Sequence, residues 1–241
     1  MLRTILALFE GEFDTARQSI RAGLDFAQKM RSRMGLVAFQ VQSSMLKAAE
    51  GKFDEGIALV ERSVAETPTL TAFRCILAGL YAEGGRTAEA RVRLDELAED
   101  DFEILPDNDK LFGWSLLGEV CYLLDDPTHA SRLYELLSPY AERNVVCHPG
   151  CAIGSAARYL GLLASSLSRW DRAERQFERA LELNEEMNAR PWLARTQEDF
   201  AHMLFARDAP GDRERAGALT RLATTAYRAV GMQVRSNRRG P

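Results

Sequence analysis

One short segment recurs through the whole chain and restricts its fold more than any other feature. It consists of a small or polar turn residue, a bulky or turn residue two positions later, and a small residue three positions after that. It reads Gly11-Glu-Phe13-Asp-Thr-Ala16, Gly51-Lys-Phe53-Asp-Glu-Gly56 and Gly85-Arg-Thr87-Ala-Glu-Ala90 in the first half. Asp125-Asp-Pro127-Thr-His-Ala130, Ser168-Arg-Trp170-Asp-Arg-Ala173 and Gly211-Asp-Arg213-Glu-Arg-Ala216 follow. The small residues are 40, 34, 40, 43 and 43 positions apart. A period near 40 over the full 241 residues belongs to a stack of like units, not to one globular core.

The units are helical. The chain has 33 Ala and 31 Leu against 27 Val, Ile and Thr together, a balance that favours helix over strand. No run alternates apolar and polar residues over five positions, so no strand is expected. The fifth unit shows the pattern best. A first helix runs from Ala156 to Leu167, Ser168-Arg169 make the turn, and a second helix carries Trp170, Ala173, Phe177, Ala180 and Leu181 on one face. The opposite face, with Arg172, Glu174, Arg175, Glu178, Arg179 and Glu182, is charged and solvated. This spacing predicts an all-α chain of about six helix pairs over 1–231, the first truncated, with 232–241 as a loose tail.

These residues resemble the tetratricopeptide repeat, whose pattern is Trp-x2-Leu-Gly-x2-Tyr, then Ala-x3-Phe, then Pro. The fourth unit has Trp114-x2-Leu117-Gly118-x2-Cys121 and Ala130-x3-Tyr134. The third has Leu77-Ala78-x2-Tyr81 and Ala90-x3-Leu94, the fifth Leu160-Gly161 and Ala173-x3-Phe177, and Pro68 closes the second. The resemblance implies a right-handed superhelix, an α-solenoid. Units four to six run longer than the pattern, and their second helices are expected to be extended by a turn or two.

A narrower resemblance covers about 80 residues of the last third. It rests on Ala157-Arg-Tyr-Leu-Gly-Leu-Leu-Ala164, Arg169-Trp-Asp-Arg-Ala-Glu174, Ala189-Arg-Pro-Trp-Leu-Ala-Arg-Thr196 and Pro210-Gly-Asp212. The stretch is similar to the C-terminal helical repeats of bacterial signalling proteins with a MalT-type ATPase, joined to a nucleotidyl cyclase or a LuxR-type DNA-binding domain. The resemblance implies a regulatory, non-enzymatic region. The ATPase itself is missing from this sequence: its only Gly-Lys, Gly51-Lys52, lacks the rest of a phosphate loop.

Other functions are disfavoured by composition. A formal charge of −4 and a pI near 5.6 argue against direct nucleic-acid binding or an anionic-membrane surface. No apolar run approaches a membrane span, and the N-terminus does not read as a signal peptide. Four cysteines are too sparse for a disulfide framework, which suits reduced thiols in a cytoplasm. No zinc-protease, nucleophile-elbow or paired Cys-x2-Cys motif is present, and no cofactor is expected. Cys147, His148 and Cys151 are the one cluster with ligand chemistry. Without a fourth ligand they read as a turn between units four and five, with Pro149-Gly150 opening the next helix. Arg235, Arg238 and Arg239 read as a frayed end.

Stacked repeats usually bind along the groove lined by their first helices. Counting from each unit's small residue places Val41, Met45, Cys75, Gly79 and Ala82 on an apolar half. The other half is mixed, with Glu119 and Tyr122 from unit four, Arg158 from unit five, and Arg195, Glu198 and His202 near the last first helix. One arginine among apolar and acidic residues does not suit a clamp for a peptide carboxylate. A partner helix or another part of a parent protein fits, as does a small molecule near Tyr122, Arg158 and His202. The superhelix closing on itself is the alternative. In this register Arg158→Glu alters partner binding with little effect on melting. At the N-terminus, Ile5, Leu6, Leu8 and Phe9 have no preceding helix to cover them. An upstream domain or self-association is therefore expected there.

Overall fold

The computed structural model describes residues 1–148 and 150–233. About 77% of it is helical, in twelve α-helices that pair in chain order. The pairs are α1 (Leu2–Glu10) with α2 (Phe13–Lys29), α3 (Arg33–Ala49) with α4 (Phe53–Glu66), and α5 (Thr71–Glu83) with α6 (Thr87–Ala98). Then come α7 (Asp107–Leu124) with α8 (Pro127–Leu137), α9 (Ala156–Ser166) with α10 (Trp170–Glu186), and α11 (Arg190–Arg207) with α12 (Asp212–Val230). Helices pack mainly on their neighbours in sequence, and first helices also touch across pairs, as α5 on α7 and α7 on α9 do.

The recurring segment works in two ways. Its first residue adopts left-handed backbone in all six units: φ is 78° at Gly11, 71° at Gly51, 79° at Gly85, 55° at Asp125, 53° at Ser168 and 89° at Gly211. In the first five units the residue after it donates its N–H back five positions, from Glu12 to Ala7, Lys52 to Lys47, Arg86 to Tyr81, Asp126 to Cys121 and Arg169 to Ala164, at 2.7–2.9 Å. That bond satisfies a helix-end carbonyl and sends the chain into the next helix. The small residue then lies at the crossing of the two helices. Ala16, Ala90, Ala130, Ala173 and Ala216 are wholly buried, and Gly56 is buried too.

Gly161 and Phe177 show how close the crossing is. A Cβ on Gly161 would come within 2.8 Å of the Phe177 ring, which stacks on Phe200 at 5.5 Å. Phe177, not Trp170, fills the depth of this seam; Trp170 starts α10 and is only half-buried.

Three features depart from the sequence reading. Residues 144–147 and 151–155 pair as a β-hairpin, not a turn leading into a helix, and Pro149 lies outside the described residues. Strand β1 (Asn144–Cys147) pairs antiparallel with β2 (Cys151–Ser155), and Cys147 lies opposite Cys151. The strands are too short for an alternation test, and the hairpin is held from outside, since Asn184 Oδ1 accepts the Ser155 N–H at 3.0 Å. The hairpin also takes up the extra length of unit four, so α8 has 11 residues while α10 and α12 have 17 and 19. Finally, the ends meet. Helix α1 packs on α11, β2 and α3. Ala7, Leu8, Phe13 and Ala16 share a core cluster with Ala194, Ala223, Tyr227 and Met232. Leu8 and Phe9 are thus covered, while Leu2 and Leu6 stay exposed. Met232, read as tail, is buried, and Gln233 donates its N–H to the Ala49 carbonyl at 3.1 Å. Arg235, Arg238 and Arg239 lie outside the described residues.

Gly161→Ala should lower stability by about 1–3 kcal/mol in denaturant melts by overpacking the seam. Phe177→Ala should lower it by about 3–5 kcal/mol. Gly79→Ala is the contrast, because an added Cβ there meets nothing within 4 Å and removes a helical glycine. It should leave stability unchanged or raise it, and a loss like that of Gly161→Ala would contradict the packing described.

Candidate functional site

Three first helices bring charged groups together on their inner side. Arg158 on α9 is wholly buried, as a side chain so long and so charged is only when its donors are matched. Its Nη1 and Nη2 donate to the two carboxylate oxygens of Glu119 on α7 at 3.1 and 2.7 Å. Its Nε donates to Asp199 Oδ2 on α11 at 2.7 Å. The fork suits a planar guanidinium, and it ties α7, α9 and α11 together. Beside it, Arg195 on α11 donates to both Glu83 oxygens at 3.4 Å, joining α11 to α5. Each guanidinium also lies over an aromatic ring, Arg158 on Tyr159 and Arg195 on Trp192, both 4.9 Å from the ring centre.

The protonation of the cluster follows from burial and charge. Burial pushes the Glu119 carboxyl up, but the charge and hydrogen bonds of Arg158 outweigh it and hold it below its ordinary value. Glu83 has a weaker partner. Burial dominates there, against the partial opposition of Arg195, and its pKa is pushed up to about 7. Burial also raises Glu198, which accepts the Tyr227 hydroxyl at 2.7 Å. Burial lowers His202, against the field of Glu198.

A cavity of about 70 Å³ adjoins the charges. Its walls are apolar, including Leu8, Met45, Ile76, Leu116, Trp192 and Met232, and its polar edge is formed by Ser44, Glu83, Glu119, Tyr159 and Arg195. Met232 and Leu8 belong to the two ends of the chain, so the meeting of the ends forms one side of this space.

The residues expected at the groove are placed as follows. Glu119 and Arg158 bond directly, and Glu119 and Arg195 both edge the cavity. Glu198 bonds Tyr227, and His202 is half-buried beside it. Tyr122 is half-buried and does not line the cavity. Arg158 is not open to a partner, so the expectation that Arg158→Glu leaves melting unchanged is overturned. Asp199 and Glu83 are the charged members missing from the sequence reading. Asp199 is one residue from Glu198, and one residue is about 100° of helix, enough to move a side chain from rim to core. A lone buried arginine asking for a second carboxylate is the signal that points to it.

Among the described residues, no group of three or more His, Cys, Asp or Glu side chains could hold a metal ion. Cys147 and Cys151 are buried free thiols. No helix among the described residues is long and apolar enough to cross a membrane.

No family model matches the chain, and no curated protein matches it. A solved structure, BtubC (BKLC) from P. vanneervenii, is similar at 22% identity, covering 97% of this chain and 96% of that one, with a TM-score of 0.48.

Arg158→Met should destabilise the chain by about 3–5 kcal/mol, because it strands Glu119 and Asp199 without their cation. Combining it with Glu119→Gln and Asp199→Asn should recover part of that loss, and an additive triple variant would show the three do not act as one cluster. Glu83 sets a pH dependence. Between its ordinary 4.5 and about 7 the folded chain binds more protons there than the unfolded chain. The contribution of Glu83 to stability is therefore greatest at low pH and declines as pH rises through that window. His202 acts in the opposite sense, so the informative quantity is the difference between the native chain and Glu83→Gln. The variant should gain melting temperature relative to the native chain from pH 5 to pH 8, and parallel profiles would remove Glu83 from the buried cluster.

Proposed function

We propose that this chain is a non-enzymatic interaction and sensor scaffold. On this reading it is a tetratricopeptide-like right-handed superhelix of six helix pairs, related to the regulatory repeats of a bacterial signalling ATPase or transcriptional regulator, and it works in the cytoplasm. The observation that carries the sensor role is the cavity between the two ends of the chain. Apolar walls face a polar edge where Glu83 and Arg195 hold each other loosely, at 3.4 Å. A ligand that reorganised this corner would act on α1, α5, α7 and α11 together, and α1 and α11 meet where the ends of the chain meet. That is a differential contact of the kind a conformational signal requires.

Size separates the readings of this inner surface. A helix is about 10 Å across, and a space of about 70 Å³ does not admit one. The inner site therefore fits a small amphipathic molecule, with an apolar body and a polar group toward Arg195 and Glu83. A partner helix, the adaptor reading, belongs elsewhere on the surface.

A thermal-shift screen of small amphipathic metabolites tests the proposal. Compounds that bind should raise the melting temperature of the native chain and not that of Gly79→Leu. That substitution extends a side chain from the cavity wall at a position where a Cβ meets no neighbour. Equal shifts in both proteins would move the site away from the cavity, and turnover of a bound compound would overturn the non-enzymatic reading.

A further inference from the structure

The end of the stack formed by α1, α2 and α3 carries a surface independent of the inner site. Thirteen large apolar side chains are exposed among the described residues, and seven of them fall within residues 1–36. Phe26, Met30 and Met34 are 64%, 63% and 55% exposed. A groove of about 270 Å³ runs between the helices, with Ile20, Phe26, Met34 and Phe39 on its walls. Gln42 also lines it. That residue is only 4% exposed, yet its amide nitrogen has no hydrogen-bond partner. Leaving such a donor unmet is unfavourable, and it lies beneath the floor of the groove.

The charge around the groove is opposite to that of the chain. Arg3, Arg21, Lys29, Arg31 and Arg33 are exposed, and none forms an ion pair with the described residues. Asp25 is the sole acidic residue between 21 and 36. A basic rim on a protein of net charge −4 favours an acidic partner and repels a like surface.

We propose that this groove docks an acidic amphipathic helix of another protein. Its apolar side chains enter between Phe26 and Met34, and its carboxylates meet the arginines of the rim. Methionine-lined walls adapt to such a helix, and apolar anchors at helical spacing are the usual mode of helix-in-groove binding. A second copy joined through the same face would set one basic rim against the other. A lipid surface is a broad plane, whereas the apolar walls here enclose a recess between helices.

The experiment uses the full chain and a labelled synthetic peptide of about five helical turns, with Leu and Phe at i, i+3, i+4 and i+7 and Glu elsewhere, followed by fluorescence anisotropy. The peptide should bind, and binding should weaken as salt is raised. Met34→Glu should weaken it at least tenfold, and Arg31→Glu with Arg33→Glu should do the same. Leu222→Glu, an equally exposed apolar site on α12, should leave it unchanged. Phe26→Glu serves as a second groove variant, and melts of each protein show that it remains folded. Equal affinity for a peptide with Lys in place of Glu, or unchanged binding to the folded groove variants, overturns the proposal. So does binding to phosphatidylserine vesicles in place of the peptide, which assigns the face to a membrane. A dimer in light scattering that Met34→Glu dissolves assigns it to a second copy.

Discussion

A guanidinium held wholly out of water needs its charge answered on every side, and Arg158 has this requirement at the centre of the stack. Glu119 and Asp199 meet it from different helix pairs, so the position of three first helices is bound to one side chain. Apolar packing alone resists separation but tolerates small slides, since dispersion contacts are numerous and weakly directional. A bidentate fork does not, because its bonds weaken steeply with angle. The placement of the first helices of units four to six therefore rests on a polar cluster, while the contacts within each pair rest on small residues at the crossing.

The closing of the ends follows from the same arrangement. Helix α1 finds α11, β2 and α3, and Met232 reaches the cavity that Leu8 also lines. A repeat array held only by nearest neighbours would leave two stacking faces open. Here part of one face is covered by the far end of the same chain, and what stays uncovered is concentrated at α1–α3. The inner cavity and the outer groove are thus two results of one geometry. The inner space is what remains where the ends meet, and the groove is the remainder of the face they do not cover.

Weakly held groups sit beside strongly held ones in the inner cluster. Glu119 is kept charged by Arg158, whereas Glu83, bonded at longer range to Arg195, is driven toward its neutral form by burial. The charge of the cluster therefore varies with pH through Glu83 and not through Glu119.

The helical class, the six-pair division and the turn inside each pair were determined by the sequence itself. Each depends on local physics: a residue able to adopt left-handed backbone ends one helix, and a small residue one turn into the next lets it cross closely. The first helix of unit five was legible to within one residue, Ala156–Ser166 against Ala156 to Leu167. The candidate charges were partly legible, because a helical count sends Glu119 and Arg158 inward and Arg195 lies near the last first helix. What only tertiary structure decided lies between residues far apart in the chain. Asp199, not Glu198, answers Arg158, since the rotation of α11 is set by packing against α12 and not by its own sequence. Glu83 pairs with a residue 112 positions away. The hairpin at 144–155 depends on Asn184, and the burial of Leu8 and Met232 depends on the two ends of the chain meeting. Spacing along a helix specifies which face a residue occupies, but the partner of that face is chosen by how the helices pack together.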